Sequence, residues 1–424
     1  MAEQLYFSRD TKMFLEFDGT VWSIPVLDGF SFSQATNSTE VSLNEMESAG
    51  GVSRRGRRAF NDSLAPAEWS FSTYVRPFTA ASGSAAGTAD SAAEVHAVEE
   101  VLWALMAGAK NYASNKYDDA ASSPTDVLVP AASEMTVTFA QSQSSTLGTA
   151  NIYFVLGDAN FTVMKMEGVT VNEATIDFDI DGIATINWSG QCSEVLDFSG
   201  STHVDNTLPV HTDTTHDGST IAVGDVWLDA NDSHRLYVLT NVGNGSEAAT
   251  PYAVNEGIID TSNFIRNRLT TLNVDGSNTT GLLSSYDVTL TGGNVTISNN
   301  ITFITPEELG IVNIPTGHVT GTRSVSGSFT CYLSVNSAAR DGSGNKSRDL
   351  FEDLRALTST VTNNVNLTFS IGGGSGNRLE INCPTSHLEI PTHSIEDVIS
   401  LETNFSALPS VIDNTDEVTL TYKV

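Results

Sequence analysis

The chain has 424 residues, 40% of them hydrophobic, which is enough for two or three domains with real cores. Its 20 basic and 51 acidic residues give a net charge of −31. This balance argues against a protein that grips nucleic acid by phosphate neutralisation and against electrostatic attachment to an anionic membrane.

Alternation of apolar and polar residues with period two dominates the chain and is typical of half-buried antiparallel strands. Ten runs show it clearly: 13–19, 30–34, 69–75, 135–139, 151–156, 175–180, 288–293, 328–333, 365–369 and 417–424. Helical periodicity is seen over 92–108 and 346–359. The longest apolar run, 101–109, is too short to span a bilayer, and the start of the chain has no leader pattern, so we expect no membrane anchor.

Short blocks recur in the same order in the two halves of the chain and indicate an internal duplication. The pairs are FLEFDG and TLNVDG, GFSFSQATN and GNVTISNNI, WSFSTYV and GSFTCYL, MTVTFA and VNLTFS, and INWSG and TNFSA, with a helix at the same place in each half. We therefore predict a β-rich module over 1–197 and a second over 262–424. The polar stretch 198–261 between them is predicted to be a small, surface-exposed β insert.

The acidic run DFDIDG (177–182) begins like a calcium loop, but Trp188 stands where such a loop needs its bidentate Glu. A strand is the favoured interpretation, with Asp177, Asp179 and Asp181 on one face. We find no pattern that predicts a catalytic, cofactor or metal site, since the three cysteines have no ligand spacing and no nucleophile or zinc motif occurs. We therefore predict that the protein is not an enzyme and needs no cofactor.

One basic cluster, RRGRR, places Arg54, Arg55, Arg57 and Arg58 in a long loop of an acidic chain. A solvated loop tip and a nucleic-acid contact are both open alternatives. The favoured interpretation is an electrostatic contact with an acidic surface of a neighbouring subunit.

The block order resembles that of the tail-tube proteins of long-tailed bacteriophages. The resemblance rests on IPVLDGFSFSQATNSTEVSLNEM (24–46), RRGRRAFNDSLAPAEWSFSTYVRPF (54–78), FIRNRLTTL (264–272) and HVTGTRSVSGSFTCYL (318–333). It implies two tandem antiparallel β-sandwich or barrel modules, each with one flanking helix. It covers most of the chain apart from 198–261.

The resemblance also implies an assembly. Two fused modules would close as a homotrimer with pseudo-sixfold symmetry, and rings would stack into a hollow tube that conducts viral DNA from capsid to host, as in a siphovirus. The long loops 44–68 and 306–323 would reach the next ring. The implied partners are further copies, the tail terminator, tail tip and tape-measure proteins, and DNA passing without specific binding; the implied location is the virion tail, assembled in the host cytoplasm.

An acidic wall would repel DNA from the channel surface, so the acids on strand faces are the candidate channel residues. These are Asp177, Asp179, Asp181, Glu396 and Glu402, and Arg54, Arg55, Arg57 and Arg58 are the candidate inter-ring contacts. The alternative function is a β-sandwich cell-surface or carbohydrate-binding module, with Trp227 and Tyr237 of the insert at its ligand site.

Overall fold

The computed structural model describes residues 6–42, 57–79, 94–113, 116–139, 145–157, 161–205, 215–216, 219–231, 234–239, 254–256, 264–309, 311–336, 345–357, 364–395, 398–412 and 414–424. Over these residues the protein is mainly β, with large antiparallel sheets and two α-helices. All ten predicted strand runs contain a strand, and the predicted fold class is confirmed. Within the same residues, no helix is long and apolar enough to cross a membrane.

The described residues of the N-terminal half form sixteen strands and one helix. They are β1 Thr11–Phe17, β2 Thr20–Ser23, β3 Ser31–Ser33, β4 Thr36–Ser42, β5 Arg57–Leu64, β6 Ala67–Tyr74, β7 Pro77–Thr79, β8 Val95–Ala97, α1 Glu100–Ala107, β9 Asn111–Ala113, β10 Lys116–Asp118, β11 Asp126–Pro130, β12 Glu134–Thr138, β13 Ala150–Leu156, β14 Thr162–Asp179, β15 Thr185–Cys192 and β16 Glu194–Asp197.

Six short strands follow in the stretch predicted to be an insert, and twelve strands and a helix complete the chain. The first group is β17 Thr202–Asp205, β18 Thr215–His216, β19 Ser219–Thr220, β20 Val226–Asp229, β21 Arg235–Val238 and β22 Val254–Glu256. The second is β23 Thr271–Asp275, β24 Tyr286–Asp287, β25 Leu290–Ser298, β26 Thr302–Ile304, β27 Gly317–Val319, β28 Ser324–Tyr332, β29 Asn345–Lys346, α2 Ser347–Ala356, β30 Val365–Ile371, β31 Arg378–Leu388, β32 Thr392–Ile395, β33 Ile399–Ala407 and β34 Thr419–Lys423.

Helix α1 is shorter than its predicted span of 92–108. Residues Val95–Ala97 form β8 instead and pair with Pro77–Thr79. The helix ends at Gly108, whose φ of 101° is a left-handed conformation that glycine adopts at low cost. Every residue of α1 is buried, so its sequence carries no polar face that would have marked where the helix begins.

Two layers of sheet enclose the core. One, the inner sheet, is the antiparallel run β3–β6–β15–β14–β25–β28–β33. The other, the outer layer, contains β2–β1–β13–β14–β16 on the N-terminal side and β23–β30–β31–β34–β12–β11–β10–β9 on the C-terminal side. The long strand β14 belongs to both layers, because its first part pairs with β13 and β16 and its second with β15 and β25.

The two halves share one pairing scheme. In the N-terminal half the strands pair in the order β1–β13–β14–β15–β6–β3. The equivalent order in the C-terminal half is β23–β30–β31–β33–β28–β25. Four of the five strand-block matches occupy equivalent strands, but MTVTFA does not correspond to VNLTFS. The strand equivalent to β30 is β13, whereas β12 is an additional strand that pairs with β34. The division at 197 and 262 stays a prediction.

The stretch 198–261 is packed onto the N-terminal half through a second apolar core. Its β20–β21 hairpin and β17 form a three-stranded sheet. The apolar side chains of this sheet meet the outward face of β1, β13 and β14; the cluster is Phe14, Val21, Tyr153, Val155, Val163, Val226, Leu228, Leu236 and Val238. The insert therefore shields apolar surface that the outer layer would otherwise expose.

A buried network joins α1 to the last strand of the chain. The Tyr422 hydroxyl donates to Oε1 of Glu99 at 2.8 Å, and the Trp103 Nε1–H donates to the Tyr422 oxygen at 2.6 Å. Glu99 is only 1% exposed. Burial raises the pKa of Glu99 to about 7, although the hydrogen bond from Tyr422 opposes the rise.

This raised pKa predicts a loss of stability as pH rises. The folded protein holds the Glu99 proton more tightly than the unfolded chain, so its contribution is full below the unfolded pKa of about 4.3 and is lost as pH rises through about 7. At pH 8 the cost is on the order of 3 kcal/mol. We expect Glu99→Gln to raise the unfolding temperature relative to wild type at pH 8 and to have little effect at pH 5.

Thermal unfolding of the isolated subunit measures this difference. The exposed Glu308→Gln is the matched control and should leave the pH profile of wild type unchanged. An equal effect of Glu99→Gln at pH 5 and pH 8 would contradict the linkage.

Candidate functional site

The inner sheet has two chemically different faces because apolar and polar residues alternate along each strand. One face packs aromatic and aliphatic side chains into the core, among them Trp69, Phe71, Trp188, Phe329 and Phe405. The opposite face, which we call the polar face, continues across all seven strands and both halves of the chain.

Hydroxyl and amide side chains cover most of the polar face. They are Ser31, Ser33, Ser70, Ser72, Thr175, Thr185, Asn187, Ser189, Gln191, Asn294, Thr296, Ser298, Ser324, Ser326, Ser328, Thr330, Ser400, Asn404 and Ser406. Five acids share this face: Glu68, Glu173, Asp177, Asp179 and Glu402. At these strand positions the face carries no Lys, Arg or His.

Close packing brings the core aromatic rings over glycines in adjacent strands. A Cβ at Gly190 would lie 2.6 Å from the Trp69 ring, and a Cβ at Gly327 would lie 2.9 Å from the Phe405 ring. Both are closer than van der Waals contact allows. Glycine at these two positions therefore lets the rings lie flat against the sheet and fixes the register of the strands.

Hydrogen bonds between neighbouring strands order the polar face. The Ser72 hydroxyl donates to Oδ1 of Asn187 at 2.6 Å, and Nδ2 of Asn187 donates to Oδ2 of Asp177 at 2.6 Å. Thr175 and Thr296 join their hydroxyls at 3.0 Å across the boundary between the halves. These hydrogen bonds between side chains hold the polar face in a defined arrangement.

Partial burial raises the pKa of Asp177, the hydrogen bond from Asn187 opposes the rise, and the charge of Asp179 adds to it. The mutual repulsion expected of adjacent carboxylates is therefore present, but desolvation is the larger cause.

Three of the five candidate channel acids lie together. Asp179 and Glu402 belong to one row across the sheet, Asp179–Gly292–Thr330–Glu402, and Asp177 lies in the adjacent row. Asp181 comes after the end of β14 and lies 3.8 Å from the Arg268 guanidinium. Glu396 lies outside the described residues.

Two acids of the polar face were missed by the sequence analysis. Glu173 is on the same strand as Asp177, and Glu68 begins the alternation that continues through Ser70 and Ser72. Extending the run 69–75 backward by one residue and the run 175–180 backward by two residues would have found both. The first part of β14 lacks a clean period because a register shift falls between Val171 and Glu173.

The basic cluster lies at a hairpin that leaves the inner sheet. β4 and β5 pair with each other, and Arg57 and Arg58 begin β5. The Arg57 guanidinium lies 3.0 Å from a Glu40 carboxylate oxygen on the facing strand. Both arginines are exposed. Arg54 and Arg55 lie outside the described residues.

Both long edges of the inner sheet are open within the described part of the chain. At one end β3 pairs only with β6. At the other, β33 is flanked by β32 and by Ser386–Leu388 of β31. Ser386 also pairs with Val365 of β30, but no strand pairs with the outer side of β32 or of the last two residues of β31 within the described residues. Exposed apolar side chains border this second edge, including Ile390 (59% exposed), Ile395 (79%) and Val398 (58%).

Trp227 of the insert does not offer an open surface to a ligand. Trp227 is 2% exposed and packs between the rings of His203, at 4.3 Å, and His216, at 5.1 Å. A sugar-stacking ring has to be exposed, so the Trp227 site predicted for the carbohydrate-binding alternative has no support.

Comparison with known proteins identifies a relative that matches almost the whole of this chain. No family model matches the chain. The chain is 27% identical to the tail tube protein pb6 of Escherichia phage T5 over 422 residues, which is 97% of this chain and 75% of that protein. This similarity confirms the resemblance to phage tail-tube proteins inferred from the sequence.

Proposed function

We propose that this protein is the structural subunit of a phage tail tube: three copies close into a ring, rings stack, and the polar face lines a channel for DNA. One observation carries the proposal. A single antiparallel sheet crosses both halves of the chain; over the described strand positions its polar face has no Lys, Arg or His, and both of its edges are open. The similarity to a tail tube protein supports the same role.

The junction between the two halves is a template for the junction between subunits. Within the chain, Glu173–Asp179 of β14 pairs with the free side of β25. In the shared pairing scheme, β31 is the equivalent of β14 and β3 is the equivalent of β25. The open edge at β31 and β32 of one copy would therefore receive β3 of the next copy.

Closure would satisfy the backbone groups that an open edge leaves unpaired. Because donor and acceptor edges differ, the contact is head-to-tail and generates a ring when the rotation closes. Each chain contributes seven strands and the short β32 segment, so three copies give about 24 strands around a channel. The two halves of three chains make six similar units.

The chemistry of the polar face suits passage of a polyanion. A channel that held Lys or Arg would bind phosphates and release counterions, which slows movement of DNA. Carboxylates repel the duplex instead, and hydroxyls hydrogen-bonded to their neighbours offer few strong contacts. Asp177, Asp179 and Glu402, together with Glu68 and Glu173, would face the channel.

The proposal places the protein in the virion tail as a non-enzymatic component assembled in the host cytoplasm. Its partners would be its own copies in the tube, the terminator and tip proteins at the ends, and a tape-measure protein within it during assembly. Hairpins β4–β5 and β26–β27 would reach the next ring. They adjoin one another, since the Leu64 N–H donates to the Asn313 carbonyl at 2.8 Å.

Blocking the open edge tests ring closure. Ile395→Lys with Val398→Lys places two charges beside the edge, where they oppose docking of another strand. We expect the ring and tube fraction to fall at least tenfold by electron microscopy and size-exclusion chromatography, with a folded monomer remaining. The insert variant Val204→Lys with Val223→Lys, at two exposed valines (46% and 64%), should assemble like wild type. Full assembly of the edge variant would contradict the proposed closure.

A single lysine on the polar face tests the channel. Ser326→Lys introduces three cations per ring, and we expect the tubes to assemble but to retain short duplex DNA at 50 mM salt and release it at 300 mM salt, because phosphate contacts are screened. Co-sedimentation measures retention. Ser326→Gln is the matched neutral control; equal DNA retention by the two variants at low salt would place this face outside the channel.

Removing the basic cluster tests stacking. Replacing Arg54, Arg55, Arg57 and Arg58 with Ser should leave single rings intact and shorten the tubes several-fold, with greater sensitivity to salt. Tube length in electron micrographs at two salt concentrations is the measurement. Changing Ser201, Thr215 and Thr220, three exposed residues of the insert, to Ala provides the control. Wild-type length and salt resistance in the arginine variant would rule out the contact.

A further inference from the structure

The ends of β6 and β28 give a common reference point in the two halves of the chain. Tyr74 of β6 stands opposite Thr185 of β15, and Tyr332 of β28 stands opposite Ser400 of β33. In both halves the residue after the tyrosine donates its backbone N–H to the carbonyl of the residue before the tyrosine's partner, at 3.0 Å and 2.9 Å. Thr185 and Ser400 are therefore equivalent positions, and the two halves can be compared residue by residue from this point.

The short strand β32 at the open edge is the counterpart of the second part of β14. Asp177 of β14 stands opposite Thr185, and Ser394 of β32 stands opposite Ser400. Ser394 therefore has the position of Asp177. The two stretches differ in their other neighbour, since β14 pairs there with β25, whereas no strand pairs with the outer side of β32 within the described residues.

Strand β3 at the opposite edge is the counterpart of β25. Ser31 of β3 stands opposite Ser70 of β6, and Asn294 of β25 stands opposite Ser328 of β28. Ser70 and Ser328 each lie four residues before the tyrosine of their strand. Ser31 therefore has the position of Asn294, and the free side of β3 corresponds to the side of β25 that receives β14.

The junction inside the chain then predicts the register of the junction between copies. Asp177 stands opposite Asn294 where β14 meets β25. We infer that β32 of one copy pairs with β3 of the next copy with Ser394 opposite Ser31, and that Ile395 of the first copy covers Phe30 of the second. This inference rests on the proposed ring and specifies which residues meet in it.

Ile395 is the exposed side chain that this register buries. Inside the chain, the next pair in the register is Phe178 opposite Gly293, and Phe178 is 3% exposed. Between copies, the same step along the two strands gives Ile395 opposite Phe30. Ile395 is 79% exposed in the single chain, so its burial against an aromatic ring would favour association.

The two junctions exchange a large and a small residue. Inside the chain, the Phe178 ring lies against Gly293, where a Cβ would be 2.9 Å from it, and meets the Phe369 ring at 5.6 Å. On β3, Phe30 supplies the ring instead and stacks on Phe154 at 4.7 Å. Phe154 and Phe369 are equivalent, since each meets a core phenylalanine of the inner sheet edge to face, at 6.5 Å and 6.4 Å. Because Phe30 already supplies the ring at this place, the smaller side chain of an isoleucine suits the position opposite it.

The register also keeps the two faces of the sheet continuous. Ser31 belongs to the polar face, and Ser394 has the position of Asp177 on that face. Ile395 and Phe30 then lie together on the core side. A slip of one residue would place Ile395 opposite Ser31 and bring apolar and polar side chains together across the junction.

Cysteine cross-linking tests the register. Ser394→Cys with Ser31→Cys should give covalent trimers on mild oxidation of assembled rings, because directly opposite residues have Cα atoms about 4.5–5.5 Å apart, within the span of a disulfide. The two serines lie at opposite edges of one sheet, so this bond can form only between copies. The three native cysteines are buried. Non-reducing electrophoresis measures the product.

The out-of-register control is Ser394→Cys with Ser33→Cys, whose Cα atoms would be about 7–8 Å apart. We expect at least tenfold less covalent trimer from it. As much product from this control as from the matched pair, or rings in which the matched pair gives no product, would overturn the register. Wild-type subunits that form no ring would instead overturn the proposed function.

An exchange of sizes tests the side-chain contact. Ile395→Phe brings a second ring against Phe30, and we expect a ring fraction at least fivefold smaller by native mass spectrometry. Adding Phe30→Gly recreates the pair found inside the chain and should restore rings to within about twofold of wild type. Val223→Phe, at an exposed valine of the insert, is the control and should assemble normally. Normal assembly of Ile395→Phe, or a double variant that thermal unfolding shows to be folded but that forms no rings, would overturn the contact.

Discussion

The pairing of β14 with β25 is the interaction on which the rest of the structure depends. Seven residues of β14 extend the sheet of one half into the sheet of the other, so a single hydrogen-bonded surface crosses the chain. β14 can do this because it is long enough to leave the outer layer and enter the inner one. The continuous sheet has two open edges at opposite ends within the described residues. Backbone groups left unpaired at these edges favour addition of another strand.

Along these strands, neighbouring residues lie on opposite faces of the sheet, one face apolar and the other polar. On β14, Ile176 and Phe178 enter the core, while Asp177 and Asp179 lie on the polar face. Large rings bury the area that stabilises the sandwich, and small hydroxyl residues on the other side bond across strands without adding bulk. A surface so constructed is wide, polar and shallow, which suits a wall better than a binding cleft.

Period-two alternation predicted ten strands, five of them in the inner sheet, because each strand of that sheet has one buried and one polar face. Pair matching of short blocks also identified most equivalent strands. It was wrong for MTVTFA because β12 has a strand-like sequence but an additional place, beside β34 of the other half. Local sequence carries no information on which of two similar strands pairs with a third. The predicted start of α1 was also wrong. Every residue of this helix is buried, so no polar face in its sequence marks where the helix begins.

The residues of the candidate site could be predicted only within strands, where alternation fixes the face on which each side chain lies. Asp177, Asp179 and Glu402 followed from alternation, whereas Asp181 lies past the strand end and pairs with Arg268. The inner packing of the insert was not predictable, because the partners of Leu228 and Val238 lie on strands far away in the sequence.

A duplicated chain is not constrained to keep its two junctions alike, and in the proposed ring the junction inside the chain and the junction between copies differ. The strand pairing is a backbone interaction and can be the same at both, but the side chains around it have changed. Strands β9–β12 and Tyr422 reinforce the junction inside the chain with an extra sheet and a buried hydrogen-bond network. The region between α2 and β30 is far shorter than the 42 residues between α1 and β13, so no equivalent of β9–β12 fits there.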